Sequence, residues 1–381
     1  MLAVTLLSGS LLAQPGGISS TNTLLHGPGI FDAAGNMFTF QNGPVTGGAA
    51  QTQNGGGTCI TSSRFFSVIG PCSDAYVNKI DSSGNLVWGT YLGGSTADQS
   101  TAVAVDGAGN VYVTGTTGGA FPTTAKAAIA ASSTATAFAA KISADGSSVL
   151  YSTYLPPTAA TPSAIALDAL GNSYIVGTSS AGHAFAVKLS ADGSAFLYDV
   201  LLAGSKQDSA GRVVADAAGN VSIAGQTTSP DFPVSSAAAQ PHLKGAQNLF
   251  IVRLDPGGHV VFSTYLGGSG TDIPTAVQID SAGNVYVAGQ TSSLDFPTTR
   301  GTLQPDAVIR YTTSKLEPRN SVPLTDLHFE DIWPVPEIAP NGRPLMGRRV
   351  RLWDQRPTVK RSARMGGSPA SRIFFCAAST S

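Results

Sequence analysis

The chain has 381 residues, 44 of them Gly, with 42% hydrophobic residues, only 12% charged residues and a formal net charge of −1. So much Gly with so few charges describes short strands joined by tight turns rather than amphipathic helices, and the apolar content excludes a chain that is disordered throughout. The near-neutral charge gives no electrostatic reason to expect nucleic acid or an anionic membrane surface as partner.

The opening residues, MLAVTLLSGSLLAQ, form an apolar run too short to span a bilayer. Residues 1–14 read as a signal peptide, with a mature chain starting after about Ala13, or else as a buried first strand. Export is the reading taken, although no Lys or Arg precedes the run, and no transmembrane segment is expected. Residues 15–73 read as a degenerate first unit with a Gly-rich loop. Cys59 and Cys72 flank that loop and could close a small disulfide ring, as suits an oxidising compartment, which leaves Cys376 over.

From Asp32 onward the pattern D-x-x-G-N recurs, starting at Asp32, Asp81, Asp106, Asp168, Asp216 and Asp280. It has a mechanism as a turn, because Asp can accept hydrogen bonds from nearby backbone N–H groups and Gly takes positive φ without penalty. Four copies open near-identical strands: NVYVTG at 110–115, NSYIVG at 172–177, NVSIAG at 220–225 and NVYVAG at 284–289. A second block alternates with them, reading AYVNKIDSSGNLVWGTYL at 75–92, AFAAKISADGSSVLYSTYL at 137–155, AFAVKLSADGSAFLYDVLL at 184–202 and LFIVRLDPGGHVVFSTYL at 249–266. Each unit is predicted as four short strands with period-two alternation, which is one blade of a β-propeller. The loops after the second strand carry Phe121–Pro122, Phe232–Pro233 and Phe296–Pro297. Their rings are expected between neighbouring units, because a single unit cannot bury its own faces.

Together, D-x-x-G-N-V-Y-V-x-G, D-F-P-T-T and the A-F-V-x-K-L…Y-S-T-Y-L-G-G-S block resemble the SBBP repeat, a bacterial β-propeller repeat, over residues 74–305. The resemblance implies an all-β propeller of four-stranded antiparallel blades on an exported or surface-anchored protein, and it carries no catalytic residues to transfer. Three departures stand out. Pro156–Pro157 replace the usual Gly-Gly, Leu201 stands where Tyr91, Tyr154 and Tyr265 recur, and after Gln304–Pro305 the next strand pair does not arrive. An incomplete propeller of four to five blades is therefore expected. It is followed over 306–381 by an irregular, disordered basic tail, rich in Pro and holding all three Glu and 12 of the 22 basic residues.

Sixteen Asp residues precede position 300, and fifteen of them occupy recurrent positions, as a turn or cap residue would. Asp74 opens a strand block, and only Asp199 is out of register. Asp98, Asp208 and Asp272 close Gly-Ser-x-x-Asp loops and could bind Ca²⁺ with backbone carbonyls. Each loop offers one carboxylate where calcium takes about six to eight oxygens, so they read as Asx-type turns. His26, His183, His242, His259 and His328 lack zinc-site spacing, and neither a nucleophile elbow nor a P-loop is present. The basic run at 347–364 reads as a solvated tail.

No catalytic, cofactor-binding or metal residue is assigned, and no cofactor is expected. The function these features imply is a non-enzymatic exported or cell-surface scaffold for a surface protein or a glycan. The alternative is a propeller enzyme or glycan-binding module, which would show polar residues that differ between blades at the mouth of the central channel.

Overall fold

The computed structural model describes residues 29–40, 42–62, 67–280, 283–298 and 375–379. The expected signal segment, the basic run and most of the expected irregular tail lie outside them. The first sheet takes β1 (Gly29–Phe31) and β2 (Met37–Thr39), is interrupted by a hairpin of β3 (Thr58–Ser62) and β4 (Ser67–Pro71), and resumes with β5 (Ala75–Ile80) and β6 (Leu86–Leu92). The second holds β7 (Asp98–Val105), β8 (Val111–Thr117), β9 (Ala137–Ile142) and β10 (Val149–Tyr154). The third holds β11 (Thr161–Leu167), β12 (Ser173–Thr178), β13 (Ala184–Leu189) and β14 (Phe196–Leu202). The fourth holds β15 (Asp208–Ala215), β16 (Val221–Thr227), β17 (Asn248–Leu254) and β18 (Val260–Leu266). The fifth holds β19 (Asp272–Ile279), β20 (Val285–Thr291) and β21 (Phe375–Ser379).

The first four sheets are antiparallel with four strands each and the fifth has three among the described residues, so the chain is the all-β propeller of antiparallel blades that the repeats imply. Two boundaries differ from the sequence reading. Residues 75–92 complete the sheet begun by 29–39, so the division at residue 73 falls inside the first blade. From the expected irregular tail, Phe375–Ser379 pairs with β20 as the third strand of the fifth blade.

All six D-x-x-G-N segments form the same turn. At Asp106 the carboxylate accepts from Ala108 N (3.0 Å), Asn110 N (2.9 Å) and Asn110 Nδ2 (2.9 Å), while Gly109 sits at φ 84° where a Cβ would be strained. Successive first strands touch one another, β1 with β7, β7 with β11, β11 with β15 and β15 with β19, so the first strand of each blade is innermost. In the second to fifth blades the second strand places a recurring Gly opposite the inner strand, and it has a reason. A Cβ on Gly225 would lie 2.2 Å from Ser209 O, beside the register shift that bulges β15 between Ala210 and Arg212.

The apolar faces are buried between blades, in one cluster per junction. Burying one Val, Leu, Ile or Phe side chain there contributes roughly 1.5–3 kcal/mol. Phe121, Phe232 and Phe296 lie in the clusters shared with the preceding blade, as expected for residues that seal a junction. Phe121 stacks on Phe138 at 4.1 Å and Phe232 on Phe250 at 4.4 Å, each with a tyrosine edge against it. A second lock runs outward. Trp88, Tyr151 and Tyr198, from the fourth strands, pack against Gly146, Gly193 and Gly258 in the last turn of the next blade, filling the space where a Cβ would stand.

Candidate functional site

Two positions in each repeat meet where one blade hands over to the next. One stands at the start of the third strand, just before it at Asp74, Thr136 and His183 and as its first residue at Asn248. The other opens the inner strand of the following blade: Asp98, Thr161, Asp208 and Asp272. The three inner carboxylates are almost completely buried, with residue exposures of 2%, 1% and 0%. Each caps the loop before it by accepting a backbone N–H, from Gly94 at 2.9 Å, Gly204 at 2.8 Å and Gly268 at 3.0 Å. That much is the turn role read from the sequence.

Their other partners differ from junction to junction. Asp272 is fully provided with donors: Asn248 Nδ2 at 3.1 Å, Ser293 Oγ at 3.1 Å, and the Thr291 hydroxyl. Asp208 accepts from Thr227 Oγ1 at 2.5 Å and faces His183 Nδ1 at 3.3 Å. Beside it Gln207, Gln226, Thr228 and Gln247 line a cleft of about 140 Å³.

At the first junction the counterpart of Asn248 and His183 is itself a carboxylate. Asp74 is 5% exposed, and its Oδ2 accepts from Gln51 Nε2 (2.8 Å) and Gly55 N (2.8 Å). Thr117 stands opposite Asp98 in the ladder and its side chain partly offsets the cost of the Asp98 charge, while its hydroxyl is also bonded to the backbone of Gly119. Asp74 Oδ1 and Asp98 Oδ1 are both buried without a hydrogen-bond partner. Burial pushes the pKa of both above the usual carboxylate range, and for Asp98 the Asp74 charge adds to it. Burial likewise raises Asp272.

Of the residues singled out in the sequence, the structure brings Asp98, Asp208 and Asp272 to equivalent places but not to one another. In the sequence His183 shows only a lack of zinc spacing, and Asp74 only opens a strand block. The missed signal was available one residue upstream of the four aligned blocks, where D, T, H and N replace each other. Among the described residues no three His, Cys, Asp or Glu side chains cluster as a metal site, and no helix is long and apolar enough to cross a membrane.

Comparison with known proteins gives the repeat its family. Residues 87–122 and 261–297 match SBBP, described as a beta-propeller repeat. Both matched segments run from a fourth strand through the junction Asp to the Phe-Pro loop of the next blade. No curated protein matches the chain in sequence. Solved structures that resemble it include a protein of unknown function from Bacteroides caccae, 13% identical over 56% of this chain and 61% of that one, with a TM-score of 0.32. BamB from Moraxella catarrhalis is 12% identical over 69% and 66% of the two chains, TM-score 0.33. Hydrazine synthase from Kuenenia stuttgartiensis is 12% identical over 64% and 62%, TM-score 0.36. The chain thus spans less than two thirds of the length of each. With the two matched segments set among like antiparallel sheets that share their turns and junctions, the chain is a β-propeller protein that matches the SBBP repeat at 87–122 and 261–297.

Proposed function

We propose that the chain is a non-enzymatic, exported or cell-surface scaffold that holds a surface protein or a glycan through the loops between its second and third strands. Those loops vary from 179–183 in the third blade to 40–74 in the first, while the sheets they join stay alike. Variable loops on a fixed scaffold are where binding surfaces arise. The observation that carries the reading is the inserted hairpin. Cys59 and Cys72 are joined by a disulfide, and Ile60 and Ile69 face each other across the ladder while 67% and 69% exposed. A covalently clamped strand pair displaying two large apolar side chains suits a partner surface, and the disulfide suits an oxidising compartment.

The test pairs the full chain with an Ile60→Asp/Ile69→Asp variant, both immobilised and exposed to an extract of the source cell envelope and to a glycan array. The variant is expected to melt like the parent and to lose the species the parent retains. Retention that survives in the hairpin variant but disappears with His183→Ala would move the reading to the alternative, a ligand site at the mouth. That alternative rests on the junction partners, which differ between blades, and on the amide-lined cleft at Asp208.

The clamp itself has a measurable effect. A ring of this size is worth about 3 kcal/mol in the chain-entropy account. Cys59→Ser/Cys72→Ser should therefore make proteolysis within 55–72 roughly a hundredfold faster, with the global melting temperature nearly unchanged because the hairpin lies outside the sheets. A global loss of several degrees would mean that the hairpin is part of the propeller's stability.

A further inference from the structure

The first and fourth blades build the same polar constellation before their handover. Gln240 Nε2 donates to Asn248 Oδ1 at 3.1 Å, Lys244 N donates to the same atom at 2.9 Å, and Gln240 Oε1 accepts from Gly267 N at 3.1 Å. In the first blade Gln51 Nε2 and Gly55 N donate to Asp74 Oδ2, and Gln51 Oε1 accepts from Gly93 N at 3.0 Å. Asp74 thus occupies the place of Asn248 atom for atom, except on its far side. There Asn248 Nδ2 donates to Asp272 Oδ2 and, at 2.9 Å, to the Gly268 carbonyl. Asp74 has only an oxygen to offer in that direction, and Oδ1 is left buried and unpartnered.

The inner carboxylate at this junction has also lost a second donor. Ser293, which donates to Asp272, corresponds to Gly119, and Asp98 Oδ1 is the other orphaned oxygen. The two carboxyl groups are close. A Cβ placed on Gly93 would lie 2.6 Å from Asp74 Cγ and 2.7 Å from Asp98 Oδ2, so they are no farther apart than the sum of those distances. Among the described residues, no Lys, Arg or His forms an ion pair with either. A cleft of about 550 Å³ opens onto the pair, with Asn42, Ser73, Gln99 and Ser100 adding oxygen atoms to its lining. Two buried like charges, short of two donors that the sister junction supplies, call for a positive charge between them.

The geometry points to a divalent-cation site between the first and second blades, held by Asp74 and Asp98. All the donors in reach are oxygens, and the site is irregular and open to water, which suits Ca²⁺ better than Zn²⁺ or the strict octahedron of Mg²⁺. The Gly94 carbonyl, counterpart of the Gly268 carbonyl that Asn248 bonds, is the backbone ligand the repeat provides. Water entering by the cleft completes the shell. The site stands independently of the scaffold reading.

Asp74→Asn is the decisive variant, because it recreates the Asn248 arrangement and is expected to fold. The full chain, freed of metal with EDTA, would be titrated with CaCl₂ by equilibrium dialysis and by thermal unfolding, with Tb³⁺ emission sensitised through Tyr76 as a direct probe. The parent is expected to bind one Ca²⁺ with a dissociation constant on the order of 10⁻⁴–10⁻³ M and to gain several degrees in melting temperature. Asp74→Asn is expected to bind at least tenfold more weakly and, in EDTA, to melt at or above the parent. Asp98→Asn should likewise lose binding, and it carries the test should the first variant not fold. No binding by the parent at millimolar Ca²⁺, or an equal gain in parent and Asp74→Asn, would overturn the site. So would a shared proton in place of the cation. An acid whose native pKa is raised stabilises the fold as pH falls through that value, so a parent that gains stability on mild acidification and never responds to Ca²⁺ holds a proton there instead.

Discussion

Phe232→Ala is expected to lower the stability of the fourth blade and its joint with the third by about 3–5 kcal/mol, the usual cost of truncating a buried aromatic ring. The ring is 2% exposed, stacks on Phe250 and meets the edge of Tyr265. The substitution isolates packing from hydrogen bonding, because the bond from Phe232 N to Tyr265 Oη (2.8 Å) belongs to the backbone and survives it. In urea unfolding the midpoint should fall with little change in slope. A loss under about 1 kcal/mol, a typical value for a surface change, would show that the Phe-Pro loop is not what seals this junction.

Gly225→Ala comes second in size. The new Cβ would stand 2.2 Å from Ser209 O and 2.3 Å from Phe250 Cζ, and neither neighbour can swing away, one being backbone in a bulged strand and the other a buried ring. Overpacking of this kind costs about 1–3 kcal/mol and sometimes more. Gly211 on the facing strand provides the control, since a Cβ there meets nothing nearer than 4.0 Å. Gly211→Ala should be neutral or stabilising by up to about 1 kcal/mol through the unfolded chain. Equal losses at the two positions, measured by thermal unfolding, would remove close approach as the reason for the glycine.

The repeat was legible because its grammar is local. Period-two alternation and the Asp-Gly-Asn turn are fixed within a few residues, and both appear as read. Which strands share a sheet is not local, and 75–92 could be assigned to its blade only through pairing with 29–39. The third blade shows the same limit. Asp199 and Leu201 read as separate departures, yet they have one cause. In the second and fourth blades Ser152 Oγ and Ser263 Oγ bond Pro122 O and Pro233 O at 2.6 Å, and Thr153 and Thr264 hold the rest of the covering loop. The third blade's connection, 179–183, has no such loop, so those anchors have nothing to hold. Asp199 turns to Thr158 at 2.6 Å, and Leu201 is left 47% exposed. The first blade hides its Phe-Pro pair as Gly43–Pro44, with Tyr76 Oη bonding Pro44 O at 2.7 Å. Its carboxylate pair was illegible for a related reason, since Asp74 and Asp98 belong to different blades and only the handover brings them together.

The span between second and third strands amounts to a socket for grafting. One scaffold carries 179–183 there, 118–136 and 228–247 elsewhere, and a disulfide-clamped 40–74 in the first blade, with the same β-ladder on either side each time. Lengthening a flexible connection costs only about 0.6 kcal/mol per doubling, so the whole natural range differs by on the order of 2 kcal/mol. Moving 40–74 into the third blade leaves the inner strands and the fourth-strand locks of Trp88, Tyr151 and Tyr198 outside the exchanged segment, whereas a foreign loop in the second or fourth blade has to keep Phe121 or Phe232 at its start. A library built at this position would vary what the molecule presents while holding how it folds.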